Sequence, residues 1–306
     1  MMLQTARTAF CQSSTRDVAA AVSHDTNRRL DVKIVRDIEY ARVADQRLML
    51  DLFLPEGPGA AENPPLLVWI HGGGWRGGSR AKPPIRRLTD AGIAIASISY
   101  RFTDVAIFPA QIHDCKGAIR WLRANAKLYG YDERRIAVGG SSAGGHLALL
   151  VGTTGGVEEL EGTVGGNEQF SSSVLAIVDY FGPSDFVLRG RTQPEMAYSE
   201  KAGSFALLGG LEPKSAGVDK RLERIASPSN WVGKGDPPLL MLHGTKDTRV
   251  LIDQSERMLD LYKDFDLEAE LIRVTGAGHG GMEFFMGKNF QTVQAFLSDS
   301  FAKLEK

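Results

Sequence analysis

The sequence predicts an α/β protein built on one mostly parallel, doubly wound sheet, with a cap-like segment inserted over residues 183–237. Three observations carry that expectation. Strand-like and helix-like segments alternate along most of the 306 residues, the order that a parallel sheet with helical crossovers requires. The central strand candidates, residues 66–70 and 93–98, are short and almost wholly apolar, as strands covered on both faces must be. The third is Gly140-Ser141-Ser142-Ala143-Gly144, a glycine-flanked serine between a strand-like and a helix-like run, where small residues permit a strained strand-to-helix turn.

Residues 1–33 read as an N-terminal arm, polar and weakly patterned, with Ser14-Thr15 able to cap a short helix over 17–22. From residue 34 to 306 the chain reads as one domain. Residues 32–40 and 47–53 alternate apolar and polar side chains, and Pro55-Glu56-Gly57-Pro58-Gly59 follows as a turn, so this pair is expected to enter the sheet antiparallel. Between the two apolar strands, residues 83–91 suggest a short helix. A longer one over 109–128 carries Ile112, Cys115, Ile119 and Leu122 at spacings of three and four. The alternation continues with a strand at 135–138, a helix at 142–151 and a strand at 174–181. It closes with a strand at 239–243, a helix at 251–265, a strand at 270–274 and a helix at 290–304.

Two segments break the rhythm. Residues 155–166 hold five glycines and three glutamates, which suggests a mobile surface loop. The stretch 183–237 is too long for an ordinary connection, and helix-like pieces at 201–208 and 218–225 make it a candidate cap or pocket wall.

Composition narrows the function classes. Lys+Arg 36 against Asp+Glu 37 gives a net charge of −1, which offers no basic field for nucleic acid. No run reaches the ~18 apolar residues of a membrane-spanning helix. Polar residues interrupt positions 1–22 too often for an export signal, so location stays open with a tilt toward the cytoplasm. Cys11 and Cys115 have no partner spacing for zinc or a redox pair, and neither a metal nor an organic cofactor is expected.

The serine motif points to acyl transfer, which needs an exposed hydroxyl, an imidazole, an orienting carboxylate and oxyanion donors. Only the frame centred on Ser142 puts a glycine at both flanking positions. Of six histidines, His279 sits in Gly276-Ala277-Gly278-His279-Gly280-Gly281 after the last strand, where a ring can swing to the carboxyl edge of the sheet. His24 and His113 read as structural, His146 as packing within the helix after the serine, and His71 and His243 as loop braces. The carboxylate is expected from the loop after the penultimate strand, at Asp247, with Asp253 as the alternative. In His71-Gly72-Gly73-Gly74-Trp75 the glycines free backbone N–H groups to face a cavity, so Gly73 and Gly74 with the Ala143 amide are the oxyanion-hole candidates. Trp75 and Tyr100 either line the acyl or alcohol pocket or are ordinary core aromatics.

With those residues in place, the chain resembles a serine carboxylesterase of the α/β-hydrolase superfamily, on the side of the feruloyl-esterase-like and hormone-sensitive-lipase-like enzymes. The resemblance rests on H-G-G-G-W at His71, Ser99-Tyr100-Arg101, G-G-S-S-A-G-G-H at Gly139 and Val178-Asp179-Tyr180-Phe181-Gly182-Pro183. His243-Gly244-Thr245-Lys246-Asp247 and Gly278-His279-Gly280 complete it, over roughly residues 34–304. It implies Ser142 as nucleophile, His279 as base, Asp247 as orienter and Gly73, Gly74 and Ala143 as oxyanion hole, in the chain order of that fold. The short stretch before the first strand departs from the longer helical cap of hormone-sensitive-lipase-like members and favours the feruloyl-esterase-like branch. Short-chain or aryl esters are the expected substrates, with an acetylated sugar, a formamide or a peptide as alternatives. A small-molecule receptor on the same fold is the reading from another class. The resemblance also raises a homodimer paired through edge elements.

Overall fold

A computed structural model of the chain describes residues 30–213 and 217–305; the helix expected at 17–22, His24 and Cys11 lie outside them. Strands β1 (Asp31–Val43) and β2 (Gln46–Glu56) form an antiparallel hairpin. The parallel strands follow: β3 (Leu66–Ile70), β4 (Ala94–Ile98), β5 (Ile136–Ser141), β6 (Ile177–Tyr180), β7 (Leu239–Gly244) and β8 (Ala269–Val274). Eight strands make one sheet in the order β1-β2-β4-β3-β5-β6-β7-β8, with β2 antiparallel to β4 and every later pair parallel. The chain therefore makes the doubly wound sheet its pattern predicts.

The apolar runs at the centre are two-sided because each residue feeds one of two cores. Leu66, Val68 and Ile70 of β3 point to one cluster while Leu67 and Trp69 point to the other, the period of two that a pleated strand imposes. The first cluster is closed by helices α1 (Ala110–Tyr129) and α2 (Ala143–Thr153). Ile112, Cys115, Ile119 and Leu122, the stripe read from spacing, are all fully buried there. Each such aliphatic contributes about 1.5–3 kcal/mol relative to exposure. Gly130, in the left-handed conformation at φ 76°, ends α1 by donating its N–H to Ala126 O.

Next come α3 (Glu158–Glu161), α4 (Phe186–Thr192), α5 (Pro194–Tyr198), α6 (Gly203–Leu207) and α7 (Lys220–Ile225). The last two are α8 (Asp253–Asp264), which packs on the first cluster through Met258 and Tyr262, and α9 (Gly287–Ala302). Helix α9 covers the opposite face with Phe290, Val293, Leu297 and Phe301. Among the described residues no helix is long and apolar enough to cross a membrane.

Two expectations are corrected. Residues 83–91 yield only a 3-10 turn, Arg86–Ala91, closed by Gly92. Residues 155–166 are not a free loop. Lys116 and Arg120 on α1 are almost wholly buried, and Glu161 accepts from Lys116 Nζ at 2.7 Å, from Arg120 Nη1 at 3.0 Å and from Ser172 Oγ. Two buried cations demand a carboxylate, and the segment is anchored to supply it. Among its described residues the excursion 183–237 holds four short α-helices, α4 to α7, and a 3-10 turn at Pro228–Asn230; α4 and α5 carry no clear pattern in the sequence.

Candidate active site

Ser142 occupies the turn between β5 and α2 with φ 53° and ψ −117°, a backbone region that costs about 1–3 kcal/mol and persists only where the surroundings enforce it. Enforcement is visible. A side chain at Gly140 would run into Gly144 O, and one at Gly144 into Ile70 O, so both flanking glycines are steric necessities. The Ser142 amide donates to Tyr180 O at 2.8 Å, and Ser142 O accepts from His146 N at 2.9 Å. Both ends of the turn are thereby fixed and the hydroxyl is turned away from α2.

Three loops at the carboxyl edge converge on that hydroxyl. His279, in the glycine-rich loop after β8, stands with Nε2 2.8 Å from Ser142 Oγ. Its Nδ1 lies 2.6 Å from Asp247 Oδ2, which makes Nδ1–H the donor and leaves Nε2 the acceptor facing the hydroxyl. Asp247, after β7, has a fully buried side chain, and its Oδ1 accepts from the amides of Arg249 at 2.8 Å and Val250 at 3.0 Å. Burial by itself raises this carboxyl, yet hydrogen bonds from His243 and His279 and from the Val250 amide outweigh it and hold the group well below the usual carboxylate range. Asp253 is absent from the constellation and opens α8.

The glycine run after β3 forms the facing wall. Gly73 at φ 121° and Gly74 at φ 62° occupy conformations that favour glycine. Among the described residues the amides of Gly73, Gly74 and Ala143 donate to no acceptor. Unbonded N–H groups at a helix start and a glycine turn are where a developing negative charge is stabilised. Gly73, Gly74 and Ser142 border a cavity of about 730 Å³.

His146 and His243 act as braces. His146 is fully buried between Trp75 Nε1, which donates to its Nδ1 at 3.3 Å, and Ala226 O, which accepts from its Nε2 at 2.7 Å. Burial pushes its pKa down to about 4, so the ring is neutral at working pH. His243 receives the Ser255 hydroxyl at Nδ1 and donates to Val250 O, 2.8 Å from Nε2, which steadies the Asp247 turn.

Trp75 borders the cavity. Tyr100, expected beside it as an alternative to a core role, does not: its hydroxyl donates to His71 O at 3.1 Å and its ring stacks on His71. Strand β4 lies beside β3, so the residue after it supports the glycine run from behind. Sequence reasoning missed part of the wall. Arg189 and Met196 from α4 and α5, Ala202, Gly203 and Ser204 at α6, and Arg249 and Val250 also line the cavity, and no motif marks them. Gly203 packs so closely on Gly74 O that a side chain there would collide with it.

Asp179 on β6 sits behind the turn. Its Oδ1 accepts from Gly182 N at 2.9 Å and its Oδ2 has no partner among the described residues. Burial pushes the carboxyl up to about 7, against the pull of His243 and the Gly182 amide. A raised folded value means that stability is fully present below the unfolded pKa, about 3.9, and is lost as pH rises through about 7. Asp179→Asn keeps the shape without the titration. Its thermal midpoint relative to wild type therefore climbs between about pH 4 and 7, by a free energy on the order of 4 kcal/mol. Paired melting curves across pH check this; a constant difference contradicts it.

Sheet topology, a serine in a strained turn after β5, and a histidine and an aspartate on the loops after the last two strands define an α/β-hydrolase. The chain belongs to the BD-FAE family, whose model matches residues 50–262. Esterase LipC of Mycobacterium tuberculosis is 32% identical over 224 residues, 71% of this chain and 53% of that protein. The chain spans about half the length of the curated relatives it matches. Among solved structures, a truncated carbohydrate esterase from gut microbiota is similar with a TM-score of 0.78 and 29% identity, over 92% of this chain and 99% of that one. A bifunctional GH43-CE protein of Bacteroides eggerthii gives 0.76 and 33%, over 87% of this chain and 38% of that one. The resemblance to feruloyl-esterase-like enzymes, drawn from the motifs, is thus established at the level of the family.

Proposed function

We propose that the chain hydrolyses carboxylic esters through a covalent acyl intermediate on Ser142. The observation that carries this reading is the unbroken chain Ser142 Oγ to His279 Nε2 at 2.8 Å and His279 Nδ1 to Asp247 Oδ2 at 2.6 Å. Ser142 Oγ attacks the ester carbonyl while its proton passes to His279 Nε2. The N–H groups of Gly73, Gly74 and Ala143 hold the oxyanion, each worth about 10² to 10³ in rate by general precedent. Collapse expels the alcohol, which takes the proton from His279. Water then attacks the acyl carbon, His279 accepts its proton, and the carboxylic acid leaves as Ser142 Oγ recovers its hydrogen. Asp247 orients the imidazole and stabilises its charged form throughout. No step needs a metal or an organic cofactor.

Within esters, an ester of a carbohydrate is supported by two similar structures described as a carbohydrate esterase and as a GH43-CE protein, and an acetylated sugar is the simplest such substrate to test. A panel of 4-nitrophenyl esters from acetyl to decanoyl, a peracetylated sugar and a formanilide tests the reading. Ester turnover concentrated at short acyl chains is expected, with the formanilide far slower. Hydrolysis of the formanilide alone contradicts it.

A further inference from the structure

The cavity over Ser142 is cationic. Arg76, Arg189, Lys201 and Arg249 border it and no aspartate or glutamate does, in a chain whose net charge is −1. Among the described residues none of the four is in an ion pair. Arg76, Lys201 and Arg249 are exposed at the rim, where Arg76 donates to the carbonyls of Glu200 and Lys201.

Arg189 is different. It reaches the cavity from α4 and is only 6% exposed. Its Nη2 donates to Arg249 O at 2.9 Å, but Nε and Nη1 have no acceptor. A guanidinium stays charged, and burying one without a matched anion is unfavourable. Asp247 and Asp253 act on it from a distance, yet burial still pushes its pKa down to about 10. Asp247 is already committed to His279 and two backbone amides, so its oxygens are not available to complete the pair. Nε and Nη1 are closed to solvent, so what the guanidinium presents to a substrate cavity without acidic residues is chiefly its positive charge, which favours an anionic group over a neutral one.

We propose that the cavity selects esters that carry a second, ionised carboxylate, with Arg189 as its principal counter-charge and Lys201 and Arg249 as the cationic approach. This inference rests on the ester-hydrolase reading of Ser142. The carboxylate can belong to the acyl part or to the alcohol part, and two matched substrate pairs separate them. Mono-4-nitrophenyl glutarate against 4-nitrophenyl pentanoate tests the acyl side; 4-acetoxybenzoate against its methyl ester tests the alcohol side.

In one pair at least, the anionic member is expected to have a kcat/KM about tenfold or more above its neutral partner, the scale of a charge-assisted contact. That ratio should shrink as ionic strength rises. Arg189→Gln should bring it close to one, and Arg189→Lys, which keeps the charge, should retain part of it. A purely structural Arg189 lowers both members equally and leaves the ratio unchanged, which overturns the proposal. If neither variant folds, the wild-type ratio and its fall in an exposed Lys201→Gln, Arg249→Gln double variant decide the matter. Ratios of one or less in both pairs, with Ser142-dependent turnover of the neutral esters intact, sink the anion preference and leave the ester reading standing. Absence of Ser142-dependent turnover of every substrate removes both.

Discussion

Ser142→Ala lowers kcat/KM for 4-nitrophenyl acetate by about 10⁴ to 10⁶, the range seen when an acyl-transfer nucleophile is removed. The fold survives the change. The hydroxyl makes one hydrogen bond, to His279 at 2.8 Å, whereas the turn is held by the Ser142 backbone amide and carbonyl and by the glycines on either side. Alanine meets the same positive φ as serine, so backbone strain is nearly unchanged and the thermal midpoint should move little. Steady-state turnover and a melting curve on the same preparation test both halves. A variant that keeps a tenth of the wild-type rate contradicts the assignment of Ser142.

Asp247→Asn is expected to cost about 10⁴ in kcat by analogy with other orienting carboxylates. An amide can place its NH₂ against His279 Nδ1, which reverses the ring's tautomer and puts a proton on Nε2, where Ser142 needs an acceptor. Substrate contacts are untouched, so the loss should fall on kcat with KM nearly constant. Stability changes as well. The folded carboxyl titrates below the unfolded value of about 3.9, so its contribution is present above that pH and is lost only as acid brings the solution through the lower folded value. At neutral pH the asparagine variant lacks that contribution and melts lower. Equal kcat for variant and wild type would remove Asp247 from its proposed role.

Much of this was legible because the chemistry is written locally. The turn around Ser142 needs glycine at 140 and 144 for steric reasons that any sequence must respect, and the apolar runs of β3 and β4 are continuous because both faces are covered. The positions of Asp247 and His279 followed from strand order, since loops after neighbouring parallel strands meet at one edge. Tyr100 was ambiguous because a residue after a central strand can face the cavity or brace the loop beside it, and only the register of β4 against β3 decides. The anchoring of residues 155–166 was hidden because Lys116 and Arg120 lie on a helix whose stripe reads as ordinary amphipathicity. Their burial emerges only when Glu161 arrives from a segment about forty residues later in the chain. Arg189 was invisible for a related reason: α4 has seven residues and no apolar period, and its place on the cavity wall depends on how the 183–237 excursion folds back over Gly74.

Peptide mapping after treatment with diethyl 4-nitrophenyl phosphate tests the central claim most directly. The reagent phosphorylates a serine only where a base activates the hydroxyl and an oxyanion site receives the phosphoryl oxygen. A single diethylphosphoryl mass on the peptide containing Ser142, absent from Ser142→Ala and slow to form in His279→Ala, is the expected result. An adduct on Ser141 or elsewhere, or undiminished labelling of Ser142→Ala, contradicts it.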